Sequence, residues 1–282
     1  MNGQRPRTAD NHWSAPVLEN IMLTKETLSF LKNLDKNNNR EWFQIHKSEF
    51  ESAKANLAAL TGYLIGKISR FDPDVAGLLP DACVFRIYRD IRFSKNKDPY
   101  KNNMGAYIAP GGRKSMAPGY YLHIQPGNSF VAGGAYHPGA PELLKVRNAI
   151  VNKTDEFLKI VNGKKYRELF GEMHGERLKT APKGFPADHK AVEYLKLKDF
   201  IAYHELFDDK FLVSREFPDY VVNTFKHVSA EPIFAKGSHG GLAKVRYFFW
   251  CDFVDFCSPA KIKPRNHTKK HEKNVSDRSQ IS

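Results

Sequence analysis

At 282 residues, 41% hydrophobic and 12% aromatic, the chain is long enough to bury a sizeable core in one large or two small domains, and a globular protein is expected. The formal charge of +13 divides into +5 on residues 261–282, which hold seven Lys/Arg and two Asp/Glu, and +8 on the remainder, so the body itself is basic and suited to anionic partners. Cys83, Cys251 and Cys257 form no CxxC pair and exclude a disulfide framework, which fits reduced thiols in a cytoplasm.

The first 21 residues carry Arg5, Arg7 and Asp10 without an apolar run, so they are read as a disordered extension and not as a secretory signal. Thr24 is placed to cap a first helix with Leu28, Leu31 and Leu34 on one stripe. Asn37-Asn38-Asn39 interrupts it. Asn39 then caps a long second helix in which Trp42, a structural residue on this reading, begins an apolar series through His46, Phe50, Ala53, Leu57, Leu60, Leu64 and Ile68. Phe71-Asp72-Pro73-Asp74 ends that helix, because proline disfavours helical geometry in the residue before it.

The middle third reads as strands. Over residues 84–93 a period of two sets Arg86, Tyr88, Asp90 and Arg92 on one face and Phe85, Ile87, Ile91 and Phe93 on the other. A loop with Lys95, Lys97 and Lys101 follows, then a strand from Met104 to Ala109 and a basic loop around Arg113 and Lys114. Gln125-Pro126-Gly127-Asn128 between two apolar runs predicts a hairpin, and Gly133-Gly134 predicts either a bulge or the close approach of another backbone or a ligand. Further helices are expected over 141–161, 164–170, 189–195 and 217–234, with one more strand at 200–206. Helices, then strands, then helices predict an α+β fold: a mainly antiparallel sheet of about four or more strands, flanked by N-terminal and C-terminal helices, in one domain over about 22–235. Residues 236–282, an aromatic run followed by a basic tail, are expected to be poorly ordered. No stretch approaches the roughly 20 apolar residues that a bilayer span needs, and no membrane partner is expected.

Several of these segments carry a resemblance. Asn37-Asn-Asn-Arg-Glu-Trp-Phe43, Phe85-Arg-Ile-Tyr-Arg-Asp-Ile-Arg-Phe-Ser94 with Lys97 and Pro99-Tyr-Lys101, Gly119-Tyr-Tyr-Leu-His-Ile124, Gly133-Gly134 and Thr180-Ala-Pro-Lys-Gly-Phe185 resemble a bacterial and fungal family, domain of unknown function 2461. The resemblance runs from about Met22 to about Phe234 and implies helices flanking a sheet, without implying a reaction. A family-like opening at Met22-Leu23-Thr24 marks residues 1–21 as an upstream extension.

The chemistry suggested by the residues themselves is anion binding. Guanidinium forks bind carboxylate or phosphate oxygens with two hydrogen bonds at once, so Arg86, Tyr88 and Arg92, with Lys95, Lys97 and Lys101 beside them, form the candidate ligand set. The expected partner is a phosphate-bearing small molecule or nucleic acid. A solvated strand in which Asp90 pairs with its own arginines is the plainer alternative. Tyr88, Tyr100, Tyr120 and Tyr121 are either core residues or platforms for a base. Arg89 falls on the apolar parity, where an unpaired guanidinium is costly, so a structural pairing with Glu41 is expected. A phosphoryl or phosphodiester hydrolase is a second reading, with Asp90 and Glu41 as its carboxylates and a divalent ion only in that case. The third is a structural or interaction domain with internally paired arginines. His123 and His137 are candidate acid–base groups against a core or surface role. No other cofactor and no metal site are predicted: HExxH is absent, and His267 with His271 is an isolated pair.

Overall fold

The computed structural model describes residues 21–206 and 208–229. The expectations for 1–20 and 236–282, with Cys251, Cys257, His267 and His271, lie outside the described residues. Helix α1 (Lys25–Lys36) starts where Thr24 Oγ1 accepts the Thr27 N–H at 3.2 Å. Asn39 caps α2 (Arg40–Ile45) in the same way, accepting from Trp42 N at 2.9 Å. The predicted continuous helix is then broken at His46, whose backbone lies at φ −100°, ψ 21°, before α3 (Lys47–Ile68) resumes. Trp42 stacks on the His46 ring at 3.9 Å, so the apolar series bends around a corner instead of following one straight face.

A four-residue helix α4 (Pro80–Cys83) leads to a sheet of four antiparallel strands in the order β1 (Met104–Ile108), β2 (Gly119–Ile124), β3 (Ser129–Ala135) and β4 (Phe200–Leu206). The β2–β3 hairpin turns at Gln125–Asn128 as predicted, with Met104 opposite Ile124 and Ser129 opposite Leu206 setting the register. Between β3 and β4 the chain makes α5 (Ala140–Asn152), α6 (Thr154–Val161), α7 (Lys164–Phe170) and α8 (Val192–Leu195). The predicted helix over 141–161 is thus two, separated at Lys153. Helices α9 (Asp209–Leu212) and α10 (Phe217–Ser229) follow β4. The outcome is the α+β fold that the sequence predicts.

Alternation along the strands gives each face its role. Ala106, Ile108, Leu122, Ile124 and Val131 join Leu31, Leu57, Leu60, Leu64 and Phe225 in the main core. Phe200 and Ala202 extend the same face toward Ile150 and Phe157. The opposite face carries Tyr107, Tyr121, Phe130 and Tyr203. The glycine pair serves close packing: a Cβ on Gly134, at φ +122°, would strike the Phe200 carbonyl, and one on Gly133 would strike Val228 of α10.

The charged segment departs from its prediction. Residues 84–93 form no strand of the sheet. Val84 bridges Ala106 and Phe85 N donates to Gly105 O at 2.9 Å, after which the segment leaves the β1 edge. It then pairs with its own continuation: Arg89 N donates to Pro99 O at 3.0 Å, Lys101 N donates to Ile87 O at 2.8 Å, and Tyr88 bridges Tyr100. Pro99 has no N–H to extend this ladder, and Asn96 accepts from Asp98 N at 2.8 Å to turn the chain. The alternation therefore survives only to Arg89. Phe93, predicted on the core face, is 95% exposed.

Candidate anion-binding site

The short ribbon of residues 86–101 is fastened to the α1–α2 turn. Asn38 acts as a substitute peptide group, donating from Nδ2 to Tyr100 O at 2.9 Å and accepting from Tyr100 N at 3.1 Å. Asn102 Nδ2 donates to Asp35 Oδ1 at 2.8 Å, a second tie to α1. Phe43 of α2, fully buried, stacks on Tyr100 at 4.0 Å with the rings 12° from parallel, and Tyr88 leans on both. The Asn-rich turn thus locates the ribbon and brings Arg40 and Glu41 beside it. Burial first, then Tyr88, raises the Tyr100 hydroxyl pKa; Arg40 opposes the rise and Glu41 adds to it. Arg40 is the site neighbour that charge patterning missed. Only its place in the Asn-Asn-Asn-Arg motif pointed to it.

Along the ribbon Arg86, Arg92, Lys95 and Lys97 are exposed. Arg92 grips Asp90 with two nitrogens, Nε to Oδ1 at 2.9 Å and Nη2 to Oδ2 at 2.6 Å, yet its side chain remains 75% exposed. Those bonds, joined by the Arg92 backbone N–H and the nearby Arg86, hold the Asp90 carboxyl at about 2, well below the usual range. A general base works best with a pKa near the operating pH, so Asp90 is poorly poised to take a proton. The charge balance of 84–101 is six Lys/Arg less two Asp, +4.

The other expected residues fall elsewhere. Arg89, expected to pair with Glu41, donates to the Asp98 carbonyl at 3.2 Å and to Ser94 Oγ at 3.2 Å. Both of those acceptors belong to the ribbon itself. Lys97 Nζ reaches back to Ile91 O at 3.0 Å and so stays with the ribbon. Lys101 is 91% buried, its ammonium 5.7 Å from the Phe85 ring, so it lies beneath the ribbon rather than on the ligand side. Among the described residues, no group of three or more His, Cys, Asp or Glu side chains is arranged to hold a metal ion.

His123 is a core histidine. Its Nδ1 accepts from Tyr121 Oη at 3.0 Å, its Nε2 donates to Gln125 Oε1 at 3.1 Å, and Phe130 stacks on it at 4.4 Å. Burial drives its pKa down to about 4 from 6.5; Gln125 opposes this and Lys101 assists. A unit or more above 6.5 the ring is essentially neutral whether the chain is folded or not. Between about 6.5 and 4 the unfolded chain takes up a proton that the folded one refuses, so stability is lost as the pH is lowered, by up to about 1.4 kcal/mol per unit. Urea unfolding at pH 7.0, 5.5 and 4.5 is expected to show that loss, and His123→Gln to remove its share.

At the far end of β3, His137 adopts φ +43°, alone among the described non-glycine residues in having a positive φ. Its backbone N and Nδ1 both point to Asp199 Oδ1, at 2.7 and 3.1 Å, while Glu176 N donates to Oδ2 at 3.3 Å. Asp199 is buried and fixes the imidazole. Sequence reasoning raised His137 but not Asp199, whose only signal was an acid immediately ahead of a buried strand.

The family described as "Conserved hypothetical protein (DUF2461)" matches residues 26–232, well over half of the chain. The chain belongs to DUF2461. That match takes in every residue of the site, from Arg40 to Lys101, so the ribbon and its fastening lie within the DUF2461 region itself. No curated protein and no solved structure matches the chain.

Proposed function

We propose that this protein binds a phosphate-bearing ligand through the 86–97 ribbon, with Arg86, Arg92, Lys95 and Lys97 as the cations. The observation that carries the reading is their concentration on one exposed, anchored ribbon, where Arg92 stays 75% exposed even while paired. Surface ion pairs stabilise a fold by only about 0–1 kcal/mol, so stability alone is a weak reason to gather so much charge. No described helix is long and apolar enough to cross a membrane. Cys83, a buried free thiol, fits a reducing setting, and we place the protein in the cytoplasm, where nucleotides and nucleic acid are at hand.

A second reading draws on the Asp90–Arg92 pair: the arginines serve only to knit the ribbon together. One experiment separates the two. In the full chain, Arg86→Ala combined with Arg92→Ala is expected to weaken binding of inorganic polyphosphate or a thymidine oligonucleotide by about tenfold, measured by fluorescence anisotropy at low salt. Unchanged affinity with a lowered melting temperature would favour the knitting role instead.

A further inference from the structure

Within the anion-binding reading, on which this step rests, we infer that the ligand is a single-stranded oligonucleotide whose bases stack on Tyr88 and Phe93. Among the four tyrosines that the sequence offers as platforms, Tyr100, Tyr120 and Tyr121 are buried, and only Tyr88 keeps an open surface, 48% exposed. Its ring is held in place by Phe43 at 6.0 Å and Tyr100 at 5.5 Å, so little side-chain freedom is lost when a flat partner settles on it. Phe93 is almost wholly exposed, with the Arg92 guanidinium 5.8 Å from its ring centre. An aromatic ring of that exposure contributes nothing to the core.

These two rings alternate with the cations along the chain: Arg86, Tyr88, Arg92, Phe93, Lys95, Lys97. Bare phosphate would engage the cations and leave both rings in water. An acidic peptide would do the same unless it carried its own aromatics. A strand of unpaired nucleotides matches both halves, phosphates to the cations and flat bases to the rings, which is how proteins hold single strands without reading their sequence. Cations spread over twelve residues also suit several successive phosphates better than one free nucleotide.

The test uses the full chain with three probes: a twelve-nucleotide thymidine oligomer, its abasic counterpart of equal charge, and thymidine triphosphate. The wild type is expected to prefer the thymidine oligomer to the abasic one. Phe93→Ala and Tyr88→Leu are each expected to weaken the thymidine oligomer by about 5- to 150-fold while leaving the abasic oligomer unchanged. Phe93→Ala removes no buried contact and so folds, and Tyr88→Leu keeps an apolar side chain against Phe43. Equal wild-type affinity for the two oligomers, with neither substitution altering it, overturns base stacking and leaves the anion-binding reading standing. Triphosphate binding as tightly as the oligomer overturns the strand in favour of a free nucleotide. A wild type that binds none of the three overturns both readings together.

Discussion

Phe43→Ala is expected to lower the unfolding free energy by about 3–5 kcal/mol, the range for emptying a buried aromatic site. Phe43 is fully buried and its ring meets four others: Phe50 at 5.2 Å, Phe30 at 6.5 Å, Tyr88 at 6.0 Å and Tyr100 at 4.0 Å. Those partners come from α1, α3 and the ribbon, so a shift of any one to fill the void disturbs another, and the site cannot collapse cheaply. The measurement is urea unfolding, in which the midpoint should fall while the slope stays constant. Ligand binding by the surviving folded fraction should also weaken, since Tyr88 loses its support. A loss under about 1 kcal/mol would mean that the ribbon is held mainly by the Asn38–Tyr100 bonds, worth about 0.5–1.5 kcal/mol each.

Asp199→Ala is the second large effect, about 2–5 kcal/mol of stability. One buried carboxylate accepts from His137 N, His137 Nδ1 and Glu176 N, so its removal takes the shared acceptor from two backbone donors at once. The left-handed turn at His137 has no glycine to relieve it and depends on those bonds. Asp199→Asn keeps one acceptor oxygen and should lose less. Hydrogen exchange at His137 and Glu176 checks the cause: both amides should lose protection in Asp199→Ala, ahead of amides within β3. Retained protection there would show that other contacts hold the turn.

The parts of the fold legible in the sequence were those fixed by local rules. Thr24 and Asn39 announce their helices because a cap needs only its own side chain and the next turn's N–H. The Gln125–Asn128 turn and the alternation of β2 and β3 read equally well, since turn chemistry and a two-sided sheet both leave marks at short range. The charged segment departs from its predicted strand because alternation reports which sides are wet, not what the backbone pairs with. Residues 85–89 alternate correctly, yet their partners are residues 99–101 and the edge of β1, and the ribbon ends where Pro99 withholds its N–H. Arg89, Lys101 and Asp199 were harder still. A polar side chain is met by whatever atoms the folded chain brings within reach, the Asp98 carbonyl among those for Arg89 and the amides of His137 and Glu176 for the buried Asp199. Sequence spacing does not encode such long-range meetings. Asp90 is the reverse case: its partner Arg92 lies two residues along the chain, so the pairing is legible from local sequence.

The most direct test is the salt dependence of oligonucleotide binding to the wild-type chain. If Arg86, Arg92, Lys95 and Lys97 each neutralise one phosphate of a single strand, the plot of log affinity against log salt concentration should fall with a slope of about −3. A slope near zero, or no binding at the lowest salt, would contradict the proposed role of the ribbon.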